Sequence, residues 1–263
     1  MSEQIDISKW VDLEKCPLGD PAFRDQCQKT LDETGALLLD GFLKPTALAE
    51  MVAEAETQSD NVYYAGQTHN VYLTPKDPNL PADHVFNRQL ESKKGCITTD
   101  QIPATSGLHA IYNAPVFKEF MSYVVKEEAI FPYADPLSGI NVHFADKGRG
   151  LNWHFDNSSF ATTLLLRAPE GGGEFQYVRD LRDADNGDMN FKGVEDVLSG
   201  DVEYKTLDAS EGTLALFRGR NSIHRVTPTT GDITRLLVVL AYNSEPGIEL
   251  SETGRMTFYG RLN

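Results

Sequence analysis

Apolar positions in the first half of the chain predict helices around a single short strand. Asp20-Pro21 is a cap-and-first-turn signal that predicts a helix ending near residue 34. GALLLDGFL (35–43) then predicts a short buried strand. Lys44-Pro45 precedes an Ala/Glu-rich segment whose apolar positions recur at helical spacing, and another helix is predicted over 115–128.

Polar and turn residues fill the stretch from Val62 to Gln101, which predicts a long ordered loop of the kind that lines a site. From Ile140 onwards, short β-rich segments separated by turn residues predict successive strands: INVHFA, LNWHF, FATTLLLRA, GEFQYV, VEYKTL, TLALFRG, SIHRVTP, TRLLVVLAYN and MTFYG.

This order of elements predicts a mainly β protein with flanking α-helices and a double-stranded β-helix core, that is, a jelly-roll or cupin-like core. We expect one domain over 1–263, with a helical part at about 1–130 and the jelly-roll core at about 138–261.

The composition of the chain limits which binding partners and which cellular location can be expected. The formal net charge of −15 and the pI near 4.8 argue against binding nucleic acid or an acidic membrane surface. Three scattered cysteines are typical of reduced thiols, and the first ten residues contain no basic or apolar region, so we expect no signal peptide. The longest apolar stretch, Leu236 to Tyr242, is too short to span a bilayer. A cytoplasmic protein is expected, while the sequence predicts no particular oligomeric state.

The segment WHFDN (153–157) contains the most informative spacing. Residues two apart on a strand point to the same face, so His154 and Asp156 are expected to project together. His224 lies on another predicted strand, SIHRVTP. Two imidazoles and one carboxylate form the facial triad of non-haem Fe(II) oxygenases, with positions left for a cosubstrate and O₂.

Arg235, on the strand after His224, adds a second signal. An arginine within an apolar run needs an anionic partner, and its guanidinium can bind the distal carboxylate of 2-oxoglutarate through two hydrogen bonds. A zinc hydrolase can use the same three ligands, but such an enzyme gives no reason for Arg235.

Longer motifs sharpen this prediction. About two-thirds of the chain resembles a bacterial branch of Fe(II)/2-oxoglutarate-dependent oxygenases that includes free-amino-acid halogenases and lysine hydroxylases. The motifs that carry the resemblance are DHVFNR (83–88), DQIP (100–103), YADP (133–136), INVHF (140–144), WHFDNSSFATTLLLRAPEGGGEF (153–175), TLALFRGRNSIHRVTP (213–228) and FYGR (258–261).

The resemblance implies roles for individual residues. His154, Asp156 and His224 would bind the iron, and Arg235 would anchor 2-oxoglutarate. Asn141, on the preceding strand, is a candidate donor to the same cosubstrate or a satisfied amide at the strand end. The halogenases of this branch have glycine at the position of Asp156, which leaves a coordination site for chloride. Asp156 would close that site, so hydroxylation rather than halogenation is expected.

The implied substrate is a small free amino acid, with lysine or another cationic amino acid as the leading candidate. Arg88 resembles an arginine that lies near the substrate carboxylate in this branch, although a solvated loop arginine is an equal alternative. Asp135 and Asn157 are candidate partners for a substrate amine. Two alternatives stay open: an oxygenase of a peptidyl, carrier-bound or natural-product intermediate, and a non-enzymatic β-barrel that binds a metal or ligand.

Overall fold

Two antiparallel β-sheets and a set of flanking helices form the molecule in the computed structural model, which describes residues 5–263. The sequence-based expectation of no signal peptide includes residues 1–4, which lie outside the described residues. Within residues 5–263, none of the helices combines the length and the apolar character needed to cross a membrane.

The helices are α1 (Pro21–Thr34), α2 (Pro45–Thr57), α3 (Gly107–Asn113), α4 (Pro115–Val125), α5 (Phe191–Ser199) and α6 (Glu252–Tyr259). The strands are β1 (Ala36–Leu39), β2 (Tyr63–His69), β3 (Leu90–Ile97), β4 (Phe131–Pro132), β5 (Ile140–Ala145), β6 (Leu151–His154), β7 (Ala161–Arg167), β8 (Phe175–Val178), β9 (Lys205–Leu207), β10 (Leu214–Phe217), β11 (Ile223–Val226), β12 (Arg235–Leu240) and β13 (Tyr242–Asn243).

The larger sheet has the order β1-β10-β7-β12-β5-β3-β2, and the smaller one has the order β6-β11-β8-β9. Strands β4 and β13 form a separate two-stranded ribbon. This mainly antiparallel architecture with flanking helices is consistent with the expected jelly-roll core.

Strand β12 shows how the larger sheet divides core from cavity. Leu236 and Val238 are fully buried in the main hydrophobic cluster, together with residues of the N-terminal helices. Leu237 and Val239 point to the other face and line a cavity. This alternation follows from the two-residue period of a strand, and it places the helices on one face of the sheet and the cavity on the other.

Two predicted helices, α1 and α2, form where the sequence indicated. Asp20 caps α1 by accepting a hydrogen bond from the backbone N–H of Phe23, and Pro21 occupies the first turn. Gly35 ends the helix in a left-handed conformation, which a glycine adopts without strain.

The loop predicted from Val62 to Gln101 was wrong, because this region contains β2 and β3. These strands pair along their whole length, and β3 also pairs with β5, so the hairpin forms the outer end of the larger sheet. Three strands of that sheet therefore come from the first 130 residues.

The strand predicted at MTFYG was also wrong, because these residues lie mainly within α6. Ser251 caps this helix by accepting a hydrogen bond from the backbone N–H of Gly254. Phe258 and Tyr259 pack with Cys96 and Leu137, so the aromatic residues that suggested a strand cover β3 from a helix. Helices α3 and α5, which begin after Ser106 and Asn190, were not predicted.

Candidate active site

A cavity of about 790 Å³ lies between residues of the two sheets. This volume falls within the range typical of small-molecule sites. The smaller sheet contributes His154 and His224 to the lining, and the larger sheet contributes Lys94, His143 and Arg235. The cavity therefore has one wall with metal-ligand side chains and another with basic side chains.

Strand pairing brings the two predicted histidine ligands together. His154 at the end of β6 pairs directly with His224 on β11, and their ring centroids lie 4.2 Å apart. Asp156 follows β6, and its Oδ1 lies 3.8 Å from Nε2 of His154 and 3.5 Å from Nε2 of His224. One candidate ligand atom from each residue lies within 4.8 Å of the others. The structure thus assembles the predicted trio around one metal-sized point.

Hydrogen bonds orient both imidazole rings. Nδ1 of His154 lies 2.7 Å from the carbonyl oxygen of Asn152, and Nδ1 of His224 lies 3.0 Å from that of Ser222. A carbonyl oxygen only accepts, so Nδ1 is the protonated nitrogen in each neutral ring. The Nε2 lone pairs are therefore free for a metal, and the hydrogen bonds fix the tautomer as in other histidine metal sites.

The position of Asp156 depends on Gly219. The backbone N–H of Asp156 donates to the carbonyl oxygen of Gly219, at 3.1 Å. A Cβ atom at residue 219 would lie 1.8 Å from Oδ2 of Asp156, so any larger residue would displace the carboxylate. Gly219 was not predicted from the sequence, although a glycine between two arginines five residues before His224 was a visible signal.

Burial and mutual charge shift the titration of the three groups. Burial lowers the pKa of His154, and the neighbouring His224 lowers it further. Burial also lowers the pKa of His224, but the closer Asp156 carboxylate outweighs burial and raises it. Burial alone would raise the pKa of Asp156, whereas the charge and hydrogen bond of His224 lower it, so Asp156 is ionised.

The donor set fits a divalent iron ion. Oδ2 of Asp156 is buried and has no hydrogen-bond partner among residues 5–263, which is costly for a carboxylate oxygen unless a cation compensates. Two neutral imidazoles with one carboxylate match the facial donor set of non-haem Fe(II) sites.

Arg235 enters the same cavity from the first position of β12. Its side chain is 9% exposed, and no carboxylate lies within 4 Å of its guanidinium in the part of the chain that the structure describes. Burial lowers its pKa to about 10, so the group remains charged at neutral pH. A nearly buried guanidinium without an anion is the arrangement expected before an anionic ligand binds.

Gly171, Gly172 and Gly173 lie in the connection between β7 and β8. Gly172 and Gly173 have φ values of +62° and +65°. A Cβ at residue 173 would lie 2.8 Å from Cδ of Arg235. The missing side chain therefore gives the arginine stem its space beside this connection.

Asn141 does not line the cavity. Its Nδ2 donates to the carbonyl oxygens of Leu137 and Ile140, and its Oδ1 accepts a hydrogen bond from the Tyr259 hydroxyl, at 2.7 Å. The side chain thus joins α6 to β5, which agrees with the satisfied-amide alternative and leaves no free donor for a cosubstrate.

The three predicted substrate residues also lie outside the cavity lining. Asp135 is buried, and its carboxylate accepts hydrogen bonds from the backbone N–H groups of Leu137, Ser138 and Leu250. Asn157 is exposed, and Arg88 is partly exposed immediately before β3. The carboxylate of Asp135 is therefore committed to shaping a loop, and the structure does not bring these three residues together.

Several cavity residues come from the hairpin that the sequence analysis interpreted as a loop: Gln67, His69, Ser92 and Lys94. Their two-residue spacing on each strand was the available signal. It was missed because these inward positions are polar, so the strands lack the usual alternation of apolar and polar residues.

Several solved structures share the fold of this chain. A member of the 2OG-Fe(II) oxygenase family from Burkholderia pseudomallei is 14% identical, with a TM-score of 0.53 and coverage of 86% of this chain and 93% of that chain. The epimerase SnoN from nogalamycin biosynthesis is also 14% identical, with a TM-score of 0.59 and coverage of 85% and 84%. A prolyl hydroxylase from Trichoplax adhaerens is 13% identical, with a TM-score of 0.52 and coverage of 85% and 90%.

SnoN has also been solved with Fe³⁺ and α-ketoglutarate. Together with the His-Asp-His site, these neighbours support Fe(II), 2-oxoglutarate and O₂ as the cofactor and cosubstrates. No curated protein sequence matches the chain. The family model described as Halogenase D matches residues 20–257, so the chain belongs to the Halogenase D family.

Proposed function

We propose that this protein is an Fe(II)- and 2-oxoglutarate-dependent hydroxylase of an unactivated C–H bond in a small free amino acid. His154, Asp156 and His224 hold the iron, and Arg235 anchors 2-oxoglutarate. The observation that carries the proposal is the placement of three convergent metal ligands opposite an unpaired arginine in one cavity, as far as residues 5–263 are concerned.

Bound Fe(II) supplies O₂ activation coupled to oxidation of 2-oxoglutarate to succinate and CO₂, with one oxygen atom inserted into the substrate C–H bond. The chain itself positions the reactants. His154 and His224 present Nε2 to the metal because Nδ1 is bonded to backbone carbonyls. Arg235 would fix the distal end of the cosubstrate, and the apolar cavity walls would exclude water around the C–H bond.

The choice of hydroxylation over halogenation in this proposal depends on Asp156. Halogenation requires a place for a halide on the metal, and the Asp156 carboxylate takes one ligand position in the proposed site. The backbone hydrogen bond to Gly219 and the absence of a side chain there hold the carboxylate in that position. The match to a family described as Halogenase D favours halogenation as the second candidate function. Product masses measured with and without chloride distinguish the two.

A free amino acid as the substrate rests on the motif resemblance. The cavity gives less support to a substrate with a cationic side chain, which the resemblance suggested. The Asp135 carboxylate, a candidate partner for that cation, is hydrogen-bonded to backbone N–H groups outside the cavity lining. Apart from Asp156, the carboxylates that line the cavity belong to Glu174 and Asp208, which are both exposed. SnoN is an epimerase of nogalamycin biosynthesis, and the cavity volume in this chain also accommodates a larger natural-product intermediate as an alternative substrate.

The setting that we propose is the cytoplasm, with a small molecule rather than nucleic acid as the partner. Free thiols at Cys16, Cys27 and Cys96 fit a reducing compartment, and the acidic composition opposes binding to a polyanion.

The deciding experiment measures succinate formation by the Fe(II)-loaded protein with each of the twenty amino acids, ornithine and citrulline, followed by mass spectrometry of each hit. A mass gain of one oxygen atom supports the proposal. A chlorinated product would show that the reaction is halogenation and not hydroxylation. Strong iron binding without succinate formation from any amino acid would contradict the proposed substrate class.

A further inference from the structure

Lys94 is a second basic group in the cavity that the proposed chemistry does not use. It projects from β3 into the cavity, and its Nζ lies 3.3 Å from Nε2 of His143 and 4.7 Å from the centre of the Phe258 ring. Within residues 5–263, no carboxylate lies within 4 Å of this ammonium. Lys94 is partly buried, and this burial lowers the pKa of its ammonium, which is the expected cost for a cation without an anionic partner.

His143 is the neutral partner of this ammonium. Burial lowers the pKa of His143 well below its ordinary value, and the charges of Lys94 and Arg235 lower it further. The neutral ring accepts from the Lys94 ammonium through Nε2, which leaves the proton on Nδ1. Among the described residues, this Nδ1 has no hydrogen-bond partner. His143 thus orients the Lys94 ammonium, whose remaining N–H groups stay available for an acceptor in the cavity.

Strand register separates Lys94 from Arg235. Phe144 of β5 pairs with Gly95 of β3, and Ala145 of β5 pairs with Arg235 of β12, so β5 runs between the two basic residues. The backbones of β3 and β12 are therefore about 10 Å apart, since neighbouring strands lie roughly 4.8 Å apart. The two cations occupy separate parts of the same wall.

Charge balance then points to a second anion. In the proposed complex, Asp156 and one carboxylate of 2-oxoglutarate match the charge of Fe(II), and the distal carboxylate matches Arg235. Lys94 is left without a negative partner. A cavity that encloses an unmatched ammonium favours a ligand that brings its own negative group.

We propose that Lys94, assisted by His143, binds a carboxylate of the primary substrate. This inference rests on the proposed function and specifies it: the substrate enters with its carboxylate towards β3, and a compound whose carboxylate is neutralised is a poor substrate. Lys94 takes the role that the sequence analysis assigned to Arg88. It is a specificity-determining residue, because its charge selects acids over amides.

The test uses the Fe(II)-loaded protein with 2-oxoglutarate under nitrogen. Equilibrium binding is measured calorimetrically for the twenty amino acids, for their carboxamides, and for 2-hydroxy acids of the same size. We expect the wild-type protein to bind at least one acid about 10–100-fold more tightly than its carboxamide, which is the effect of one charged hydrogen bond. Lys94→Met should abolish this preference, and Lys94→Arg should restore part of it.

Lys93→Met is the matched control, because Lys93 lies on the same strand, points away from the cavity and forms an exposed ion pair with Glu91. This variant should bind acids and carboxamides as the wild type does. The 2-oxoglutarate dissociation constant, measured by the visible absorption of its iron complex, should change less than about 3-fold in Lys94→Met, because its anchor is Arg235.

The outcomes separate this inference from the proposed function. Binding of 2-hydroxy acids but no amino acid, with that binding weakened in Lys94→Met, would support Lys94 and overturn the amino-acid substrate. Equal binding of acids and carboxamides by the wild type, or no binding of any acid, would overturn the role of Lys94. Weakening of 2-oxoglutarate binding in Lys94→Met to the extent seen in Arg235→Gln would assign Lys94 to the cosubstrate and also overturn it.

Discussion

The two walls of the cavity differ in how far the chain itself satisfies their polar groups. On the smaller sheet, backbone carbonyls hold both imidazoles, and Asp156 lies against them. On the larger sheet, Arg235 and Lys94 face the cavity without an acidic partner within residues 5–263. Internal hydrogen bonds thus preorganise the metal-ligand wall, whereas in the proposed complex the cationic wall would be completed by ligands.

This difference predicts different consequences of mutation. Changes on the metal-ligand wall should weaken iron binding and lower turnover with every substrate. Changes on the cationic wall should leave iron in place and weaken the binding of one anion. The following variants test this separation in order of decreasing effect.

Asp156→Gly should give the largest loss. Removing the carboxylate removes a metal ligand and one negative charge beside the cation, so succinate formation should fall by more than the roughly 10–100-fold typical of groups that only support a ligand. Iron content and succinate formation measure the effect, and mass spectrometry in excess chloride shows whether the vacated position permits chlorination. The exposed neighbour provides the control, Asn157→Ala, which should keep iron and activity. Full hydroxylation by purified Asp156→Gly would show that Asp156 is not a ligand.

Arg235→Gln should raise the KM for 2-oxoglutarate by about 10–100-fold, since a charged hydrogen bond contributes roughly 1.5–3 kcal/mol. Iron binding should change little, because Arg235 belongs to the other sheet. Titration of 2-oxoglutarate at fixed iron measures this effect. Arg261→Gln is the control, because Arg261 pairs with Asp100 and does not line the cavity. A wild-type titration curve from Arg235→Gln would place the anchor elsewhere.

Gly219→Ala tests whether backbone packing positions Asp156. The new Cβ would overlap Oδ2 of Asp156, so the carboxylate must move, and iron affinity should fall about 10–100-fold, as for other groups that orient a metal ligand. Competition with a metal chelator measures the affinity. Gly19→Ala provides the comparison, because a Cβ there meets no atom within 4 Å. Equal iron affinities in the two variants would show that Gly219 does not position Asp156.

Tyr259→Phe should have the smallest effect on the site and a measurable effect on stability. It removes the hydrogen bond to Oδ1 of Asn141 and leaves that buried oxygen unpaired, which should lower the free energy of unfolding by about 1–3 kcal/mol. Denaturant unfolding measures this change, with the exposed Tyr204→Phe as the control. The KM for 2-oxoglutarate should stay within about 2-fold of wild type. A large rise in that KM would indicate that Asn141 contributes to 2-oxoglutarate binding.

The sequence predicted the metal-ligand wall better than the cationic wall. His154 and Asp156 were placed on one face by strand periodicity, and this inference needed only local spacing. Their approach to His224 depends on the pairing of β6 with β11, which local spacing does not predict.

The hairpin was missed for a physical reason. Prediction of strands relies on apolar residues pointing inward, but β2 and β3 point Gln67, His69 and Lys94 into a cavity. Asp135 was expected to bind the substrate, because it is a charged residue in a matching motif. Its carboxylate instead accepts hydrogen bonds from backbone N–H groups of a loop. Neither outcome follows from residue type or spacing alone, since both depend on which tertiary face a side chain meets.

The β2–β3 hairpin lies at the edge of the larger sheet, outside the part of the sequence that carries the proposed iron and cosubstrate residues. The proposed iron ligands and the 2-oxoglutarate anchor lie between residues 154 and 235, whereas Lys94 lies on a hairpin that joins the larger sheet only through β5. Under the proposed role of Lys94, exchange of that hairpin between relatives would change the substrate preference and leave residues 154–235 unaltered. The same boundary indicates where to cut when building chimaeras with altered selectivity.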